Sequence, residues 1–335
     1  MSARLWGWFD DAALDRGRNP VRRVIERSMR LGGFVIHGDC RGSLGRCLDS
    51  LAAVSDACVA VDTGSTDGSA ALCSGRGFDR LVRRWEGYGA ARAAAVRALQ
   101  GCDYVFFLDS DEWLEPDAVA ALLAWKASAP RAPHYSLVRR DWARLGGRRF
   151  LYRTERHVRL VRADAAAWQR DMIVHEALPG GETVRLRVAL EHDFADAVEA
   201  MRAKVERYAL LWAIRYHRDP RSVKPPALQR LAHLLREALL KGALFRGGVP
   251  ALRLAAAVAH HHARKYELLR EVRRGGHAEL VQAFDEDRLY DLFRLVGPQG
   301  PPRRSQALVP AGLALTPRPT RSGLAPAPIS ARQQD

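Results

Sequence analysis

Tyr104-Val-Phe-Phe-Leu108, followed at once by Asp109-Ser110-Asp111-Glu112, is the stretch on which the fold turns. Five apolar residues rich in aromatic and branched types predict a buried strand, and the acidic group marks where that strand leaves the core. Open α/β sheets place their ligands beyond the carboxyl ends of their strands. Alternate side chains of an extended chain share a face, so Asp109 and Asp111 can reach one point. Two carboxylates so placed suit a hard divalent cation whose shell is completed by phosphates and water. An isolated D-x-D is as often a solvated acidic turn, so the neighbouring segments decide.

Upstream, Gly32–His37 predicts a first strand, ended by Gly38-Asp39, and Leu44, Cys47, Leu48 and Leu51 then fall at helical spacing. A second strand, Ala57–Val61, runs into Asp62-Thr-Gly-Ser-Thr-Asp67-Gly-Ser69, where Asp67 reads as the cap of the next helix. Leu81–Arg83 is a short third strand, and Gly87–Arg92 opens an alanine-rich helix reaching about Gln100. Pro116 starts a helix to about Lys126. Strand and helix alternating in this way predict a parallel α/β sheet. Beyond Pro133, Tyr135–Val138 and Arg156–Val161 alternate like half-buried strands, with Gly146-Gly147 as the turn between them. After Asp193 the chain reads as helices over Val198–Tyr216, Pro226–Leu244 and Val249–Arg270.

The division that follows is an N-terminal extension over 1–30, an α/β domain over 31–194, a helical subdomain over 195–296 and a tail over 297–335. The tail is rich in Pro, Gly, Ser and Arg, a composition that predicts disorder. Hydrophobic content of 47% and charged content of 27% are those of an ordinary globular protein, but the net charge of +15 is not. A positive field favours phosphorylated substrates, anionic headgroups or nucleic acid. The aromatics form no RNA-binding signature and there is no zinc-finger spacing, so no nucleic-acid partner is expected. Cys40, Cys47, Cys58, Cys73 and Cys102 show no C-x-x-C pairing and read as reduced thiols of a cytoplasmic protein. No secretory leader is evident, and no stretch reaches the ~20 apolar residues of a membrane-spanning helix.

In their order along the chain, Asp62-Thr-Gly-Ser-Thr-Asp67-Gly and Leu108-Asp109-Ser-Asp111-Glu112 resemble the family-two glycosyltransferases, which have the GT-A fold. Trp85-Glu-Gly-Tyr88-Gly-Ala90-Ala-Arg92 looks like that family's linking segment. Val174-His175-Glu176 and Lys265-Tyr266 narrow the likeness, over about Gly32 to Leu269, to bacterial lipopolysaccharide core glycosyltransferases. The resemblance implies a Rossmann-like, mostly parallel sheet with flanking helices and a C-terminal helical subdomain. It also implies donor contacts from Asp62, Asp109 and Arg92, and a Mn2+ or Mg2+ ion on Asp111 bridging the phosphates of a nucleotide sugar. Glu176 stands where the acceptor-side base is expected, with Asp171 as the nearby alternative and His175 as its orienting neighbour. Where many relatives have Asn-Glu after the first strand this chain has Gly38-Asp39, which makes Asp39 the donor-side residue at that place.

Sugar transfer from a nucleoside diphosphate needs charge stabilisation on the leaving phosphates and one base for the acceptor hydroxyl. Direct displacement inverts the anomeric centre with a single flanking carboxylate. Two rivals stand beside this reading. A phosphohydrolase of the haloacid-dehalogenase type also places D-x-D after a strand, but it usually continues with x-Thr or x-Val, not Glu112-Trp113. A non-catalytic basic adaptor on a degenerate transferase fold would not require Asp109, Asp111 and Glu176 together.

Further signals are less decisive. Arg156, Arg159 and Arg162 read either as a phosphate-lining set or as a solvated strand face. His260-His261-His262 point in different directions on a helix and do not form a metal site by spacing. Leu228, Leu231, Leu234, Leu235, Leu239 and Leu240 form a stripe interleaved with Arg230, Arg236 and Lys241, extended by Leu244, Phe245 and Leu252–Val258. Two readings stay open for that stripe: peripheral contact with an anionic membrane, or a helical layer covering the sheet. An enzyme with a glycan or lipid-linked acceptor, working at the cytoplasmic face of the inner membrane, accommodates both.

Overall fold

A computed structural model of the chain describes residues 28–174, 178, 180–220 and 222–297. The N-terminal extension as far as residue 27, the tail from residue 298, and His175 and Glu176 lie outside the described residues.

The first half alternates as the apolar runs require. Strands β1 (Leu31–His37), β2 (Ala57–Asp62), β3 (Asp79–Val82) and β4 (Tyr104–Asp109) are separated by helices α1 (Arg41–Val54), α2 (Ser69–Gly75) and α3 (Tyr88–Ala98). They pair in parallel in the order β3-β2-β1-β4, which brings the carboxyl ends of β2 and β4 to either side of β1. Side chains of β4 divide between the two faces of the sheet. Tyr104, Phe106 and Leu108 join the core beneath α1 and α4 (Pro116–Ala127), with Leu48, Leu51 and Leu122. Val105 and Phe107 join the core on the α3 side, with Ala94, Ala95 and Trp168. Full burial of one such side chain contributes ~1.5–3 kcal/mol, which is why this five-residue run anchors both layers.

The second half of the sheet is antiparallel in part. Strand β6 (His134–Leu145) and strand β7 (Arg148–Arg162) form the hairpin predicted at Gly146-Gly147, and β7 pairs antiparallel with β4. Two strands were not foreseen: the two-residue β5 (Glu112–Trp113) and β8 (Thr183–Ala195), which complete the order β4-β7-β6-β8-β5. The whole is a mixed sheet flanked by helices, the GT-A arrangement expected from the resemblance. Helices α5 (Val198–Arg215), α6 (Pro226–Leu235), α7 (Ala243–Arg273), α8 (Ala278–Asp285) and α9 (Leu289–Val296) follow; α7 is broken at Gly248 (φ 58°), just before the expected helix start at Val249. The continuous helix predicted to Leu244 instead ends α6 at Leu235, passes through a π-turn over Arg236–Leu240 and turns at Gly242, φ 69°.

These helices share a core with the segment that precedes Glu176. Ile173 and Val174 are fully buried against Trp212, Leu269 and Phe293, and Arg215 donates to the Val174 carbonyl. The same segment meets α3: Gly89 N–H donates to Met172 O at 3.0 Å, and a Cβ at Gly89 would lie 2.1 Å from Gln169 O. Only glycine allows that approach.

Candidate active site

Asp62 ends β2 with no side-chain exposure. Its Oδ1 accepts from the amides of Gly64 (2.9 Å) and Ser65 (2.7 Å), and its Oδ2 from Arg80 Nε and Nη2 at 3.0 and 2.6 Å. Burial raises the carboxyl pKa, but the Ser65 amide, Arg80 and His37 outweigh it and hold Asp62 below its ordinary value. The side chain predicted to contact the donor is therefore seen shaping its own loop. Asp39 also acts on loop shape, since its Oδ1 accepts from Thr66 N–H at 2.5 Å and ties the loop after β1 to the loop after β2. Asp67 accepts from Ser69 N–H at 3.0 Å, at the start of α2, and from Arg41 N–H at 2.8 Å, at the start of α1. One acid thus serves two helix N-termini.

The loop after β4 is held by side chains from elsewhere. Asp109 Oδ2 accepts from Arg159 Nη2 at 2.8 Å, and Arg92 Nη2 lies 3.5 Å from its Oδ1. Both arginines are buried, and their guanidinium carbons lie 5.0 and 4.5 Å from the centre of the Phe107 ring. Glu112 has no side-chain exposure; it accepts from Arg159 and from the Asp109 amide (3.1 Å). Asp111 is less committed. Its side chain is 35% exposed, much like that of Asp109 at 39%, but among the described residues it has only His192 Nε2 at 3.6 Å as an ion-pair partner, and Lys204 of α5 adds positive charge nearby.

Behind the loop runs a charged rung across four strands. In register, Arg153 of β7 faces Asp141 of β6, Asp141 faces His192 of β8, and His192 faces Glu112 of β5. Asp141 is fully buried, accepting from Arg153 Nε at 2.6 Å and His192 Nδ1 at 2.8 Å. Burial lowers the His192 pKa, but the carboxylates of Asp111 and Asp141 more than reverse that and bring it up to about 9. His192 thus lies between two carboxylates, which favour its protonated form.

Arg159 reaches this cluster because of a β-bulge. Tyr135 pairs with Leu160 and Ser136 with Val158, so Arg159 is the extra residue on β7. Bulges re-aim a side chain in this way. The predicted set Arg156, Arg159 and Arg162 does not line one pocket: Arg156 donates to Leu186 O at 3.0 Å and Arg162 to Asp164 Oδ1 at 2.6 Å. The informative period was two, through Arg153, Glu155 and His157, charges on a strand that pack inward with their partners. Glu112, Asp141 and His192 were missed as site residues. The alternation of Thr183-Val-Arg-Leu-Arg-Val188 was the available sign of β8 and hence of His192.

His260 bonds Glu206 Oε1 at 2.6 Å, and His262 stacks on His233 with ring centres 3.5 Å apart. Among the described residues, no three or more His, Cys, Asp or Glu side chains are grouped to hold a metal ion. For a Mg2+-like ion none is required: one or two carboxylates, with phosphate and water oxygens, make an ordinary shell. Asp109 and Asp111 are both partly exposed and fit as donors, Asp109 held by two arginines and Asp111 by His192. Glu176, the expected base, lies outside the described residues; Asp171 is in the exposed turn before Ile173.

With this geometry in place, the likenesses to known proteins are consistent. Residues 37–165 match the sequence profile of glycosyl transferase family 2. Over 259 residues the chain is 27% identical to the lipopolysaccharide core biosynthesis glycosyltransferase LpsC of Rhizobium meliloti (strain 1021), covering 70% of this chain and 94% of LpsC. Among solved structures it is similar to glucosyl-3-phosphoglycerate synthase from Mycobacterium tuberculosis in complex with Mn2+ and UDP-glucose (18% identity, 35% of this chain, 44% of that chain, TM-score 0.27). It is also similar to a mycobacterial protein of known structure (15% identity, 56% of this chain, 74% of that chain, TM-score 0.37). The chain thus spans less than half the length of the synthase, and overlaps this loose carry nothing further.

Proposed function

We propose that this chain, which carries a family-two glycosyltransferase domain, moves a sugar from a nucleoside diphosphate to a glycan or lipid-linked acceptor with inversion at the anomeric carbon. The pathway proposed is lipopolysaccharide core or related cell-envelope polysaccharide synthesis, at the cytoplasmic face of the inner membrane. The observation that carries the reading is the pair Asp109 and Asp111 at the carboxyl end of β4, beside β1 and in line with the Asp62 loop, within the segment that matches the family.

A bound Mn2+ or Mg2+ would supply Lewis-acid stabilisation to the leaving diphosphate. The chain's own residues divide the remaining work. Asp111 would hold the ion; Arg92 and Arg159 fix the position of Asp109 beside it. His192 and Asp141 keep Asp111 from swinging away. The Asp39–Thr66 and Asp62–Arg80 contacts set the wall against which the donor's nucleoside would lie. Glu176 takes the acceptor proton, on a segment whose preceding residues Ile173 and Val174 are clamped by the C-terminal helices.

A screen of nucleoside diphosphates and nucleotide sugars for thermal stabilisation, with and without Mn2+, tests the reading. Ligand binding to the native state raises the melting temperature by mass action. Stabilisation by one nucleotide only with metal supports it. Stabilisation by none, or turnover of simple phosphomonoesters instead, would sink it.

A further inference from the structure

The leucine stripe of the C-terminal helices is divided by the fold. Ala251, Leu254, Ala255, Ala257 and Val258 of α7 are buried. Leu231, Leu235, Leu239, Leu240, Phe245 and Val249 are exposed, Leu240 by 85% and Phe245 by 78%. They crowd one elbow, where α6 passes through the π-turn into α7. Single exposed leucines need no explanation, but a cluster on one element pair marks an interaction surface.

Two further observations say what kind. Between residues 222 and 263 there are six lysines and arginines and a single acid, Glu237. That acid is buried at 1% exposure, accepting from Tyr152 Oη at 3.2 Å and Arg153 Nη1 at 3.3 Å, with Lys241 Nζ at 2.7 Å. The surface of the elbow is therefore apolar with an excess of positive charge, relieved in part by Glu267, 3.9 Å from Arg230, and by Glu155 on Lys241, while its own acid fastens it from behind to β7. Lys224, Arg230, Arg236, Arg246 and Arg253 are all exposed along the same stretch of chain, Arg246 with its guanidinium on the Leu151 and Tyr152 carbonyls.

We infer that this elbow docks on an anionic lipid surface, with Leu240 and Phe245 entering the headgroup boundary and the flanking basic side chains meeting lipid phosphates. Apolar burial and charge attraction act together at such an interface. A second copy of the chain is disfavoured, because a two-fold contact would set the same positive charges against each other. The anchoring has a consequence for function. Glu237 pairs with Arg153, Arg153 with Asp141, Asp141 with His192, and His192 with Asp111, so one chain of ion pairs links the docking elbow to the acid pair. The elbow sits in fixed orientation to the site, as an acceptor presented from a membrane would need. The docking itself rests on no step of the sugar-transfer reading.

The test is co-sedimentation of the full chain with vesicles of phosphatidylcholine alone and of phosphatidylcholine mixed with phosphatidylglycerol. The expected result is binding to the anionic vesicles only, weakening as salt is raised. Leu240→Glu combined with Phe245→Glu should reduce that binding at least ~10-fold with melting temperature and nucleotide binding unchanged. Leu240→Ser with Phe245→Ser reads the same if the first pair misfolds. Equal binding to both vesicles, binding to neither, or full binding by both variant pairs would overturn the inference. So would a concentration-dependent dimer that the substitutions abolish, which would assign the face to a second copy. Vesicle binding involves no chemistry, so its failure leaves the transferase reading intact, and loss of nucleotide binding leaves the docking intact.

Discussion

Asp62 ends β2 and Asp109 ends β4, the strands on either side of β1, yet their carboxylates are held by different kinds of partner. Asp62 is saturated by amides of its own loop and by Arg80 from the adjacent β3. Asp109 and Asp111 are held by Arg92, Arg159 and His192, delivered from α3, β7 and β8. A carboxylate bonded to its own backbone sets the shape of a loop. One balanced by side chains from distant elements is placed by the tertiary fold and stays partly exposed, as Asp109 and Asp111 do at 39% and 35% while Asp62 is wholly covered. The difference separates a wall of the site from its working part.

The largest effect should come from the working part. Asp111→Ala should lower transfer ~10³-fold or more, since metal-assisted charge stabilisation contributes several kcal/mol and ~1.4 kcal/mol is tenfold in rate. It should also remove the metal-dependent stabilisation by nucleotide while leaving the ligand-free melting temperature nearly unchanged. Transfer that survives in this variant would erase the distinction drawn between the two loops.

Glu176→Gln should lower kcat by ~10²-fold or more, the usual contribution of a general base, with donor affinity retained. Undiminished turnover would move the role to Asp171, whose own Asn variant then becomes the decisive measurement.

Asp62→Ala should act on stability first. Loss of hydrogen bonds to a buried charged group costs about 1.5–3 kcal/mol, read as a fall in the chemical-denaturation midpoint. Should donor affinity fall instead, with the midpoint unmoved, Asp62 touches the nucleotide and the wall is part of the binding surface.

The smallest effect lies in the network behind the site. Burial raises the Glu155 pKa, but His157, Arg153 and Lys241 more than compensate and hold it well below the ordinary carboxylate range. A depressed folded-state pKa stabilises above the unfolded value of ~4.3 and loses that stabilisation as pH falls toward the folded one. Glu155→Gln should therefore cost about 1–2 kcal/mol at neutral pH and flatten the decline in stability on acidification below about pH 5. An unchanged acid limb would show that the network contributes no such linkage.

Much of the parallel half was legible from sequence because its cues are local. An apolar run of Tyr104–Leu108 can only be buried, and Asp39, Asp62 and Asp109 stand where three such runs end. The expected third strand, Leu81–Arg83, is observed as Asp79–Val82, an ordinary boundary difference. The second half was less legible. β5 is two residues long and exists only because Glu112 and Trp113 find His192 and Glu191 of β8, a partner far along the chain.

What the order of residues alone determined was the alternation of strand and helix, the acidic residues where β1, β2 and β4 end, and the amphipathic character of the C-terminal helices. Periodicity and composition encode these within a few turns of chain. Only the tertiary structure decided which carboxylates face inward, that a bulge turns Arg159 onto Asp109, and which leucines of one stripe stay exposed at the α6–α7 elbow. Those outcomes depend on pairings between residues tens of positions apart, set by strand register and by the balance of buried charge, and no local pattern carries that information.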